Sequence, residues 1–176
     1  RMNPADRPRI LQDRTLAYQA QVRVLEGFLA RARRRGAEAL QGAMQSALDV
    51  VADMTGAAAG SLFLFDDAGQ VAETLLARRT PDETEARKLV GCVLQGGLAG
   101  WVRRHRRAGL IADIRRDPRW LALENEPLAV RSALAVPLLR ERALLGILTL
   151  MHPAPGHFQA SNLRLIQATA DQMALA

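Results

Sequence analysis

Cysteine is almost missing from this chain: Cys92 is the only one in 176 residues. A single thiol forms no internal disulfide and no multi-cysteine zinc site, and such a chain fits a reducing, cytoplasmic compartment. Flanked by Val90 and Leu94, Cys92 reads as a small buried hydrophobe rather than a redox or attachment thiol. Aromatic residues make up 4% and do not interleave with the basic runs, so no stacking platform for nucleic acid is visible. Lysine is as scarce: Lys88 stands alone, and the net charge of +6 comes from arginines. These are dispersed except at residues 33–35 and 103–107, so no direct nucleic-acid partner is expected. No apolar run approaches the ~18 residues of a membrane span. The longest, residues 143–151, has the length of a strand. The N-terminus is polar without an apolar h-region, so neither secretion nor a membrane partner is expected.

Catalytic constellations are also missing. His105 sits in a basic run, and His152 and His157 flank a turn. No His or Cys recurs at a ligand spacing such as i, i+4, and no nucleophile has a neighbouring base. The glycine-rich stretch 96–102 matches neither GxGxxG after a strand nor a P-loop. No catalytic residue, metal or cofactor is therefore expected.

What is present is 49% apolar residues, enough for a core. Residues 1–9, with two prolines and several charges, read as a flexible start, Arg1-Met2 having the look of a tag remnant. From residue 10 to 36 a heptad runs through Leu11, Thr15, Tyr18, Val22, Leu25, Leu29 and Ala32. This narrow seam predicts a coiled-coil-like helix and a homodimer. Ile10, Val24 and Phe28 widen the stripe, which also suits a helix lying on its own domain. A second helix follows, with Leu40, Met44, Ala47, Leu48, Val51 and Met54 in helical spacing and a stop at Thr55-Gly56.

Residues 61–65 and 70–77 read as a hairpin around Asp66-Asp67-Ala68-Gly69. Residues 81–90 read as a helix with Thr80 as N-cap and Pro81 at its first position. A short helix from Gly97, a short strand at 109–112 and a polar loop at 113–120 come next. Residues 132–139 and 143–151 form a second hairpin across Arg140-Glu141-Arg142. Pro137 lies inside a strand, which implies an edge or a bulge. The last helix is expected to be capped by Ser161, with Leu165, Ile166, Thr169 and Met173 on one face. Hairpins at both ends predict an α+β fold with a mainly antiparallel central sheet and the N- and C-terminal helices on one face.

From about Ala39 to Ala176 the chain resembles a GAF domain. The resemblance rests on Ser132-Ala-Leu-Ala-Val-Pro-Leu, then Gly146-Ile-Leu-Thr-Leu, then Phe158 with the helix from Leu163. Gly97-Leu-Ala-Gly-Trp-Val with Ile114 and Asp117-Pro118-Arg119 fits as well. Arg142 departs from the family's turn glycine, which bears on the hairpin type. The resemblance implies a GAF domain over residues 37–176, acting as a regulatory input module that binds a small ligand or relays a signal through a dimeric helical bundle. It implies a pocket between the sheet and residues 97–130, for which Phe63, Phe65, Trp101, Asp113, Trp120 and Leu134 are the lining candidates. Core packing is the alternative for each apolar member, and an Asx cap for Asp113. It also implies that the last helix continues into an output domain of kinase, cyclase or transcription-regulator type.

The competing reading is a structural dimerisation module with a collapsed pocket. The branch that reduces free methionine sulfoxide needs an attacking and a resolving thiol, which Cys92 alone does not supply. The bilin branch has a Cys beside a His after the Asp-Pro motif, and residues 120–130 hold neither. The cyclic-nucleotide signature is not placed here, because Lys88 is the only lysine. The expectation is thus a module that is not an enzyme.

Overall fold

The computed structural model describes residues 23–25, 27, 36–77, 94–121 and 129–176. Within them lie helices α1 (Ala37–Thr55), α2 (Leu98–His105) and α3 (Ala160–Ala174). The strands are β1 (Ala59–Phe65), β2 (Val71–Ala77), β3 (Gly109–Ile111), β4 (Ser132–Arg140) and β5 (Ala143–His152). They form one sheet in the order β2-β1-β5-β4-β3, and each neighbouring pair is antiparallel. The α+β architecture expected from the two hairpins is the one observed. The helix expected at residues 81–90 and Cys92 lie outside the described residues, as do 122–128.

α1 forms because Ala43, Met44, Ala47, Leu48 and Val51 recur at helical spacing, and all five are buried. It ends where expected. Gly56 takes a left-handed φ of 65°, its amide donates to Asp53 O, and the Ala57 amide donates to Ala52 O. This is a Schellman closure that a residue with a Cβ enters only under strain. Gln45 Nε2 then donates to Leu76 O at 2.9 Å, fastening the helix to β2.

α3 starts differently from expectation. Its N-cap is Gln159, not Ser161, because Gln159 and Asn162 cap each other reciprocally across the first turn. Its buried face carries Ile166, Thr169, Ala170 and Met173.

Strand alternation sorts the core into two layers. Leu62, Leu134, Val136, Leu138, Leu148 and Leu150 cluster with buried residues of α1 and α3 on one face. Phe63, Ala133, Ala135 and Ile147 cluster with Leu94, Leu98, Val102 and Ile111 on the other. The terminal helices thus share one face, as expected. Leu25 is buried in the first layer while Val24 is 75% exposed. At this seam position the side chain is covered by its own domain, as in a helix lying against that domain. Leu11, Thr15, Tyr18, Val22, Leu29 and Ala32 lie outside the described residues.

The β4–β5 turn solves the missing glycine at Arg142 with a different residue: Glu141 takes φ 56°. Pro137 sits in an inner strand, yet β3 covers β4 only from Ala133 to Ala135. Beyond that point no strand among the described residues pairs with the outer side of β4, and Pro137 O there accepts from Gln167 Nε2 of α3 at 3.2 Å. The proline's missing N–H costs no ladder bond there, and a register shift follows at Leu138/Leu139. Gly146 is demanded by close approach: a Cβ there would lie 2.6 Å from Phe63 O of β1.

Two histidines close the end of the sheet onto α1. The rings of His152 and His157 stack at 3.5 Å, and His157 Nε2 lies 2.8 Å from Thr55 O. The Ala154 amide donates to His152 Nδ1 at 3.0 Å. Burial, and then the neighbouring His157, hold the His152 pKa below its ordinary value of 6.5.

Gly146→Ala is expected to lower stability by about 1–3 kcal/mol, because backbone rather than a flexible side chain obstructs the methyl. Urea denaturation measures it. A depressed histidine pKa means that the unfolded chain binds more protons below pH 6.5, so stability falls as pH drops from neutral. Melting temperatures at pH 7.5 and 5 should therefore separate, and His152→Gln should narrow the separation.

Candidate functional site

The face opposite the terminal helices is covered by α2 and by the loop that follows β3. α2 enters at Gly97 and presents Leu98, Ala99 and Val102 to the sheet. Phe63, 4% exposed, is fully part of this layer. Phe65, Trp101 and Trp120 are half-buried at its margin. Four of the expected lining residues therefore gather on one face.

Arginines cover the aromatic residues that the core leaves partly open. Arg103 lies over the Phe65 ring, 5.3 Å from its centroid, and Nη2 donates to Gly69 O at 2.8 Å. Arg119 lies 5.1 Å from the Trp101 centroid. Its guanidinium donates through Nε and Nη2 to both Asp117 carboxylate oxygens, at 2.9 and 2.6 Å, and through Nη2 to Leu110 O at 2.8 Å. His105 stacks on Trp101 at 4.5 Å. The hydrogen bonds from Arg119 hold the Asp117 carboxyl below the usual carboxylate range.

Asp113 takes the Asx role. Its Oδ1 accepts from the Arg115 amide at 3.2 Å and caps the 3-10 turn Ile114–Arg116. Its carboxylate also pairs with Arg131, 2.8 Å from Nη2 and 3.2 Å from Nε. That hydrogen bonding lowers the Asp113 pKa. Asp113 thus latches the loop to the start of β4.

Leu134 is a correction. It is buried in the layer with α1 and α3, on the face away from α2. Strand period explains this: Ala133 and Ala135 point to α2, so Leu134 between them points to the terminal helices.

Thr149 was not among the expected site residues. Its Oγ1 is buried, and it has no hydrogen-bond partner among the described residues. Thr149 pairs with Ala135 on β4 and Ser61 on β1, so its side chain points to the α2 face. The available signal was a lone hydroxyl in the apolar run 147–151. Among the described residues no three His, Cys, Asp or Glu side chains converge as metal ligands, and no helix is long and apolar enough to cross a membrane.

The GAF domain family model matches residues 37–176. The chain belongs to the GAF domain family. Solved structures with the same fold include the GAF domain of a phosphoenolpyruvate-protein phosphotransferase from Coxiella burnetii, at TM-score 0.64 and 22% identity over 90% of this chain and 92% of that one. A free methionine-R-sulfoxide reductase from Neisseria meningitidis, solved with its substrate, aligns at TM-score 0.67 and 13% identity over 90% and 86%. A type II free methionine-R-sulfoxide reductase from Thermoplasma acidophilum aligns at 0.60 and 14% over 78% and 92%. No curated protein matches the sequence.

These neighbours correct the expectation that the module is not an enzyme. Reductases carry this GAF fold, so membership of the family does not exclude catalysis.

Arg119→Lys is expected to cost on the order of 1–2 kcal/mol, since an ammonium cannot reproduce the fork to Asp117 together with the Leu110 bond. Denaturant titration measures the loss. Tryptophan emission should shift to the red as the Trp101 ring loses its cover.

Proposed function

We propose that this GAF domain is a regulatory input module that binds a small molecule on the α2 face and passes the event to α1 and α3. The observation that carries this reading is the shared strand layer. α2 packs on β4 and β5 from one side, and α3 packs on β4 from the other. A ligand that repositions α2 or the 109–121 loop acts on the strand that supports α3. Ligand shifts such a module only by binding two helix arrangements with different affinity.

The same reading places a second copy along the N-terminal seam, at Leu11, Thr15, Tyr18, Val22, Leu29 and Ala32, and an output domain after α3. Leu25 is left out of that seam because its own domain covers it. The likeness to a GAF domain of a phosphotransferase protein supports a signalling context.

The test is disulfide cross-linking between copies through single cysteines along residues 168–176 in a Cys92→Ala background. A thermal-shift screen first supplies a compound that stabilises the protein. Cross-linking that changes with the compound supports the relay, and a pattern the bound compound leaves unchanged removes it. No inter-chain product at any position removes the second copy. Turnover of free methionine-R-sulfoxide with dithiothreitol, lost in Cys92→Ala, would replace the sensor reading by a catalytic one.

A further inference from the structure

Four strands place small side chains abreast on the α2 face. Ser61 of β1 pairs with Thr149 of β5, Thr149 with Ala135 of β4, and Ala135 with Gly109 of β3. The adjoining rows carry larger side chains: Phe63 opposite Ile147 on one side, and on the other Met151 and Ile111, with Ala133 between them. At strand spacings of about 4.8 Å, the small row is a shallow slot roughly 14 Å long. Its β3 end is closed from above. A Cβ built at Gly109 would lie 2.8 Å from Leu98 Cδ1, and 3.5 Å from both Arg119 Nη1 and Trp101 Cε3.

The centre of this slot carries hydroxyls. Thr149 is 5% exposed and its Oγ1 has no partner among the described residues. Ser61, 6% exposed, stands directly opposite. A buried hydroxyl without a partner destabilises a fold, and natural cores keep few of them. An apolar residue of similar shape would fill the position at no such cost. The arrangement therefore points to a partner outside the chain, one that offers a hydrogen-bonding group to the middle of the sheet.

The surroundings narrow its chemistry. Phe63, Trp101 and Trp120 belong to the same apolar layer, which suits a planar apolar body. The charges beside the closed end are matched already, Arg119 by Asp117 and Arg131 by Asp113. A charged ligand group would have to compete with those pairs.

Building on the small-molecule reading above, we propose that Ser61 and Thr149 form a subsite for the polar edge of a neutral aromatic or heteroaromatic molecule, whose ring lies along the small-residue row on the β1 side of the end that Trp101 and Arg119 close. Thr149 both donates to and accepts from that edge, as a hydroxyl does. The bound group then satisfies the buried oxygen that the chain leaves alone.

Benzamide is the probe, with toluene as the ring without a polar edge and benzoate as the charged analogue. Amide chemical shifts of the 15N-labelled protein follow each titration. Benzamide should move the Ser61, Ala135 and Thr149 amides and bind more tightly than toluene or benzoate. Thr149→Val, which keeps the shape, should weaken benzamide about fivefold and leave toluene unchanged. Thr149→Ser should restore benzamide binding, and Ser61→Ala should weaken it independently should Thr149→Val fail to fold. Benzamide binding that Thr149→Val and Ser61→Ala leave untouched overturns the subsite, as does shift movement elsewhere or no binding at all. Those outcomes leave the sensor reading standing, because cross-linking with a compound from the wider screen judges it separately.

Discussion

The close antiparallel packing of β1, β5 and β4, covered on both faces, is the constraint on which this molecule depends. These strands form the middle of the sheet, and residues two apart along them serve the same layer. Ile147 belongs to the α2 layer and Leu148 to the helical layer. A one-residue slip would exchange the two sets and place Thr149 among the terminal helices. Gly146 fixes the approach of β5 to β1, because only a residue without a side chain fits 2.6 Å from Phe63 O. The register, and with it both cores, follows from that contact and from the turn at Glu141.

On such a frame the α2 face is finished with few aromatics and many arginines. Isolated surface ion pairs contribute little. Here each guanidinium is also tied to backbone or stacked on a ring: Arg103 to Gly69 O and Phe65, Arg119 to Leu110 O and Trp101. Arg131, the residue just before β4, pairs with Asp113, itself a cap. Their contribution is geometric: they hold the 109–121 loop to the strands so that Trp101 and Trp120 lie where the layer ends. The run at residues 103–107 stands out in the sequence only by its charge, but its first member is an aromatic cover.

What was legible in the sequence follows the same physics. Hairpins, the Gly56 stop and the antiparallel α+β sheet were readable because turn residues and apolar runs mark them locally. Leu134 was misplaced because β4 is buried on both faces, so its apolar run carries no alternation to tell one side from the other. The α3 cap was missed because Ser161 is the commoner cap residue, while the Gln159–Asn162 reciprocity appears only once the first turn has closed. Leu25 satisfies both a dimer heptad and a helix on its own domain, and spacing alone cannot separate the two. Thr149 looked like one residue of a strand, since its meaning lies in cross-strand partners. Catalysis was set aside because no catalytic constellation and only one cysteine were readable, yet solved structures of this fold include reductases, and chemistry belongs to residues on a face that assemble only on folding.

Under the proposed sensor reading, the packing of β4 also bears on how one face would act on the other. Packed cores are bistable rather than continuously deformable, so a displacement on the α2 side has to be taken up where a strand is least tied. In β4 that place begins after Ala135, where β3 ends and no other strand among the described residues pairs with the outer side. Pro137 removes a donor there, and the register shifts one residue later. α3 takes hold of β4 at this same point through Gln167 and Pro137 O. The stretch of β4 that β3 does not pair is therefore the stretch that α3 grips, and under the proposed relay the backbone of residues 136–140 is where the two faces would meet.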